Sequence, residues 1–296
     1  MMFTFFAVLV RILINPLSNV FQKRICAAGQ SPLTTNFLTY AALSVLVLPM
    51  LWNVRWSSFP LAFWGYAALV GVFGALGNGF LVKAVQSGEL SVLGPINAWK
   101  SVVGIVFGMI LLHEIPGLVG FLGVLLIVAG SYFVLAPITT SSSPNEKFSW
   151  TILTRPDLCY RVGAMVLAAV EAVFIKKVIL YSDPNTAFSL WCWGGMIFSL
   201  LLLPVQEKIA VKHEFVALKS NLVLYLGLIV SVGLMQLTTN YVFDKLSVGY
   251  ALALFQLSAV LSVFYGFLFF RESNIARKLP ASLVMVAGSV LIILAG

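Results

Sequence analysis

Two stretches of this chain repeat each other at a fixed offset. Residues 104–114 (GIVFGMILLHE) answer residues 262–272 (SVFYGFLFFRE), with Gly108 on Gly266 and Glu114 on Glu272. Farther along, Val128, Ala129, Gly130 and Ser131 recur as Val286, Ala287, Gly288 and Ser289, in the same 158-residue register. Upstream, Val20-Phe21-Gln22-Lys23-Arg24 echoes Val173-Phe174-Ile175-Lys176-Lys177 at an offset of 153, so a short insertion separates the two registers. A chain with this pattern folds as two copies of one unit.

The unit belongs in a bilayer. Of the 296 residues, 60% are hydrophobic and 9% are charged, against about 25% charged in soluble domains. No water-soluble core hides that much apolar surface, which predicts an all-α integral membrane protein. The net charge of +8 reads as loops meeting anionic headgroups, not as a nucleic-acid footprint. Cys26, Cys159 and Cys192 show no CxxC or His/Cys spacing, so neither a disulfide, a metal site nor a cofactor is expected. The first fifteen residues are apolar without a basic leader region and read as a retained first membrane helix.

Ten apolar runs are long enough to span as helices: 2–21, 33–52, 60–83, 90–112, 116–136, 160–181, 185–205, 221–243, 247–270 and 279–295. The longest polar stretch begins at Pro137 (PITTSSSPN). It divides the chain into a first repeat at 1–136, a linker at 137–159 and a second repeat at 160–296. Five helices per repeat is an odd number, so the second copy enters the membrane from the opposite side. The expected architecture is two inverted five-helix repeats around a central cavity, which points to a transporter with a site near the midplane. Lys23 and Arg24 should then lie at the opposite membrane face from Lys176 and Lys177, and Glu114 opposite Glu272. Most of the 18 basic residues, Lys23, Arg24, Lys83 and Arg161 among them, fall in the connectors after odd-numbered helices. That bias would put those connectors in the cytoplasm and both termini outside.

The pattern resembles the drug/metabolite transporter superfamily, in its ten-helix EamA-type form. The resemblance is carried over the whole chain by Lys83-Ala84, Leu90-Ser91-Val92-Leu93-Gly94-Pro95, Gly108, Glu114 and Val128-Ala129-Gly130. Its second copy is Leu246-Ser247-Val248-Gly249, Gly266, Glu272 and Val286-Ala287-Gly288. It implies a central cavity walled by helices 1–4 and 6–9, buttressed by helices 5 and 10, and alternating access. It also implies cytoplasmic termini, against the charge bias, in a bacterial inner membrane.

Polar groups inside the bilayer carry the chemistry. A central Lys, Arg or acidic residue costs about 2.5–3.5 kcal/mol on insertion scales, so it faces partners or water. Arg11, Asn15 and Asn19 are spaced i, i+4, i+8 and share one face of the first helix, with Pro16 freeing a carbonyl there. Arg11 either forks onto an anionic group or snorkels; Asn15 either binds substrate or glues helices. Lys100 lies near the middle of its run, one turn after Asn97, roughly 15 Å from either interface, too far to snorkel. It needs water, a substrate or an ion pair with Glu171. Glu171, central in the sixth run, could carry a proton, meet an amine or pair with Lys100 or Arg11. Gln236 and Asn240, then Gln256 and Ser258, add polar groups on two later runs. Trp191 and Trp193 could wall a pocket or face lipid. The pairs Gly104/Gly108 and Ser262/Gly266, and Gly71, Gly74 and Gly77, read as close helix packing. Glu114 and Glu272 should cap or pin loops.

No HExxH, GxSxG, Walker loop or paired-Asp motif is present, which argues against a hydrolase or an ATP-driven pump. The expectation is a secondary transporter of small polar metabolites, amino acids or related organic anions, working in export, with proton coupling open and a monomer sufficient. Phosphorylated or nucleotide-linked sugars are the alternative cargo, and a non-transporting membrane scaffold the alternative of another class.

Overall fold

The computed structural model describes residues 2–52, 54–100, 102–103, 117–135, 154–205, 218–246 and 248–295. Gly104, Gly108, His113, Glu114, Trp150, His213 and most of the expected linker lie outside them. The described residues are helical and contain no strand. Helix α1 (Met2–Ala27) runs through Pro16 without ending. Helix α2 (Pro32–Leu46) starts at a proline behind Ser31, whose hydroxyl accepts the Thr34 N–H at 3.2 Å. A proline at the first position and a serine cap satisfy the helix start in the usual way. One turn, α3 (Leu48–Leu51), follows, then α4 (Leu61–Ser87).

The expected helix at 90–112 begins broken. A single turn, α5 (Leu90–Leu93), gives way to a 3-10 turn over Pro95–Ala98 before helix resumes at Trp99 and Lys100. Pro95 has no N–H for the Ser91 carbonyl, and the Asn97 N–H bonds to Gly94 O at 3.1 Å instead of reaching Leu93 O. The corresponding run in the second half breaks too. Helix α10 (Val248–Phe255) and helix α11 (Ser258–Phe270) are parted at Gln256 and Leu257. Ala98 and Gln256 are one 158-residue register apart, so the two breaks occupy matching places.

Between these lie α6 (Leu118–Leu135), α7 (Pro156–Tyr181), α8 (Pro184–Leu202) and α9 (Leu222–Lys245); α12 (Ile275–Ala295) closes the chain. Among the described residues six helices are long and apolar enough to cross a membrane: α1, α4, α6, α8, α9 and α12. Helix α7 is as long as α1 but carries Asp157, Arg161, Glu171, Lys176 and Lys177. The fold is therefore an all-helical membrane protein.

Helices pack across the two halves in antiparallel pairs. On α4 and α7, Gly77 faces Leu167, Phe80 packs at a tilt against Tyr160 and Tyr66 lies on Tyr181. On α1 and α9, Phe3 meets Tyr241 and Phe21 meets Gly227. Helices α6 and α12 cross backbone to backbone. A Cβ on Gly130 would sit 2.8 Å from Ala281 O, and one on Gly288 would sit 2.6 Å from Gly123 O. A 158-residue shift turns one of these contacts into the other. Gly71 likewise lets α4 approach α8, where a Cβ would lie 2.7 Å from Gly194 Cα.

Charged groups pin the ends. Arg271 closes α11 in the left-handed region (φ 53), and the chain turns back so that Glu272 N–H reaches Gly266 O at 3.2 Å. The Glu272 carboxylate then lies over Gly266, where any side chain would collide with it. It accepts the N–H groups of Leu90 (2.9 Å) and Ser91 (2.8 Å) at the start of α5, and Lys23 Nζ at 3.0 Å. Lys23 also donates to Gly88 O at 2.8 Å. At the far end of α9, Lys176 donates to Phe243 O and Leu246 O, a cation on a helix C-terminus. Phe21 packs near the start of α9 and Lys176 caps its end, so Lys23 and Lys176 lie most of that 24-residue helix apart, roughly 30 Å. Lys23, Arg24, Lys83, Arg161, Lys176 and Lys177, expected in connectors, all sit inside helices. Lys23, Arg24, Lys83, Arg161 and Lys176 find polar or aromatic partners there, so the basic-residue bias loses its footing as a guide to orientation.

Candidate functional site

A cavity with about 130 Å³ of space open to water lies between helices of both halves. Helix α1 presents Arg11, Asn15, Ser18, Asn19 and Gln22 to it, the face that the i, i+4, i+8 spacing predicts, widened by Ser18 and Gln22. Helix α7 presents Arg161, Ala164, Ala168, Glu171 and Ile175, again every third or fourth residue. The alanines make the volume, and Arg161 and Glu171 on either side of them supply opposite charges. Asn97 and Lys100 enter from the segment that follows the α5 break.

Arg11, Arg161 and Glu171 are each tethered by one hydrogen bond. Arg11 Nε donates to Thr239 Oγ1 at 2.7 Å and its guanidinium lies 4.8 Å from the centre of the Phe255 ring. Its Nη1 is buried with no partner. Arg161, 7% exposed, donates from Nε to Leu93 O at 2.7 Å, the carbonyl left free by the break after α5. Glu171 accepts the Trp191 indole N–H at 2.5 Å. Gly74 makes room for this pair, since a Cβ there would lie 3.0 Å from Glu171 Oε1 and 3.1 Å from Trp191 Nε1. Tyr40 lies beside them with its hydroxyl buried and unpartnered. Glu171 and Lys100 line the same cavity but are not among the ion pairs of 4.0 Å or less in the described residues. The ion pair that sequence reasoning set against a cavity role for Lys100 is thus not formed.

Amides line the rest. Gln22 donates to Asn78 Oδ1 at 3.2 Å and Asn78 donates to Asn36 Oδ1 at 2.6 Å, tying α1, α4 and α2 together. Gln236, one 158-residue register from Asn78, also lines the cavity and donates to Asn240 Oδ1 at 3.0 Å. Asn240 itself stands behind Gln236, bonded to Pro184 O at 3.2 Å. Ser258 accepts the Asn15 side-chain N–H at 3.3 Å, and Gln256 is buried with its side-chain oxygen unpartnered. These three fall outside the cavity lining. Asn15, Lys100, Glu171, Arg11, Asn19, Asn97 and Gln236 fall on it.

Sequence reasoning missed Arg161, Tyr40 and Gln22 as lining residues and favoured lipid or packing for Trp191. Arg161 was legible: it stands ten residues before Glu171 on the same three-and-four stripe. Trp193 carries the other reading, packed beside the core with its indole nitrogen buried. Among the described residues no three His, Cys, Asp or Glu side chains come together to hold a metal ion.

The profile of the EamA-like transporter family matches residues 2–136 and 157–294, so the chain belongs to that family. Its membership makes it a membrane transporter of small molecules, of a family whose members are not enzymes. No curated protein matches the chain. A protein of solved crystal structure is similar over 98% of this chain and 97% of its own, with a TM-score of 0.61 and 16% identity. That likeness speaks to the fold alone.

Proposed function

We propose that this member of the EamA-like transporter family is a secondary active transporter that moves small polar metabolites, amino acids or related organic anions, by alternating access, in the export direction. The observation that carries the reading is Lys100: a cation facing a cavity walled by both halves and, among the described residues, without an acid in ion-pair distance. The two halves, 1–136 and 160–296 with the linker between, would be inverted five-helix repeats in a ten-helix bundle of the inner membrane. The exchange of the Gly130 and Gly288 contacts under the repeat shift supports this, as do helix breaks at matching places, which mark binding sites in transporters built this way. Asn15, Asn19, Asn97 and Gln236 would orient the solute, Lys100 and Arg11 would meet its carboxylate, and Glu171 would meet an amine or a coupling proton.

The test is uptake and counterflow in proteoliposomes with labelled amino acids, phosphosugars and polyamines, comparing the parent with Lys100→Gln. Saturable flux that falls at least about tenfold in a folded variant, a loss of about 1.4 kcal/mol in transition-state or binding terms, supports the reading. Folded protein that carries nothing under pH gradients of either sign favours a non-transporting scaffold.

A further inference from the structure

The transporter reading leaves the charge of the solute open, and the cavity narrows it. Among the described residues three basic side chains line it, Arg11 from α1, Lys100 after the 3-10 turn and Arg161 from α7, against one carboxylate, Glu171. Among the described residues none of the three has an acid within ion-pair distance. Lys100 lines the same cavity as both arginines and Glu171, so the four form one cluster. Each guanidinium is tethered through Nε, Arg11 to Thr239 Oγ1 and Arg161 to Leu93 O. That leaves the Nη edges, the part of the fork that recognises carboxylate and phosphate oxygens, turned to other uses. Arg11 Nη1 is buried without a partner, and Arg161 is more than nine-tenths buried.

Like charges crowded in a low-dielectric space repel, and such an excess persists where a counter-charge shares the space. With Arg11 and Lys100 alone, Glu171 would leave room for one negative charge. Arg161 adds a second. We propose that the solute carried through this cavity is an organic dianion, a phosphate monoester or a dicarboxylate, and that Arg161 sets the preference for the second charge. This rests on the transporter reading above.

The purified full-length protein, at neutral pH, is titrated in a thermal-shift assay with two matched pairs, succinate with succinamate and glycerol 3-phosphate with glycerate. At least one dianion should stabilise the protein at about tenfold lower concentration than its singly charged mate, a gap of about 1.4 kcal/mol. The pair that responds tells dicarboxylate from phosphate. In Arg161→Gln the gap should close, while Arg161→Lys, which keeps the charge and can still donate to Leu93 O, should retain most of it. If Arg161→Gln does not fold, the pairs in the unaltered protein and in Arg161→Lys decide the matter. Equal response within both pairs, a stronger response to the single charge, or no response to either dianion overturns the proposal. Flux separates the two readings: saturable transport of a neutral or cationic solute alone ends the dianion and keeps the transporter, while absence of all flux from folded protein ends both.

Discussion

Glu272 and Glu171 sit inside the same helical body and are treated in opposite ways. Glu272 receives two backbone N–H groups and an ammonium, and its side chain is 5% exposed. Burial pulls its carboxyl upward, but the hydrogen bonds from Ser91 and the charge of Lys23 outweigh that and hold it below its ordinary value of 4.5. Glu171 receives a single indole N–H and faces an open cavity. A carboxylate saturated with donors joins parts of the fold; one left with spare lone pairs beside a cavity can take a ligand or a proton. Glu272 joins parts distant in sequence, since Lys23 and α5 come from the first half and Glu272 from the second.

The comparison breaks if the two glutamates respond alike to mutation. Glu272→Ala leaves Lys23 and two N–H groups without their acceptor, and removing one partner of a buried pair costs about 3–5 kcal/mol. It should lower thermal stability in detergent more than any change at Glu171. The pH dependence sharpens the same point. A carboxyl whose folded value is depressed contributes stability that is present above its unfolded value, near 4.5, and lost as pH falls through the lower folded value. The gap in melting temperature between the parent and Glu272→Gln should therefore be full at neutral pH and shrink once pH drops below about 4.5. Trp191→Phe removes the indole donor to Glu171 and keeps most of the ring, for a loss of about 1 kcal/mol in chemical or thermal unfolding. Glu171→Gln should have the smallest effect on stability, within about 1 kcal/mol, because the amide oxygen still accepts from Trp191. Its signature is functional: solute binding or flux should fall about tenfold or more while the melting curve barely moves.

Much of the architecture was legible because the chain states it twice. The match of Val128 through Ser131 with Val286 through Ser289 marks the α6 and α12 crossing, and Ser262 and Gly266 do pack closely, against Gly94 and Ser91. The stripe of Arg11, Asn15 and Asn19 found its cavity because helical spacing fixes which residues share a face. Spacing does not say what that face meets. Asn240 and Ser258 therefore looked equivalent to Gln236 in the sequence, yet they lie behind the wall. The helix breaks were hidden for another reason. Apolar runs report burial in lipid, not backbone continuity, and although Gly94-Pro95 hints at the first break, nothing comparable marks Gln256 and Leu257. Arg161 was assigned to a connector because a charge near the edge of an apolar run looks like its end. The helix instead begins earlier, at Pro156.

The bond from Arg161 Nε to Leu93 O has a consequence for how this protein can change over generations. The break after α5 exposes a carbonyl that lipid cannot satisfy, and one side chain both satisfies it and charges the cavity. A substitution that drifts toward a new solute at that position also strips a donor from the backbone. Lysine is the conservative escape, and other replacements need a second change that repairs the helix first. Selectivity at Arg161 is therefore expected to evolve slowly and in pairs, while positions such as Ala164 and Ala168, which supply only volume, are free to vary one at a time.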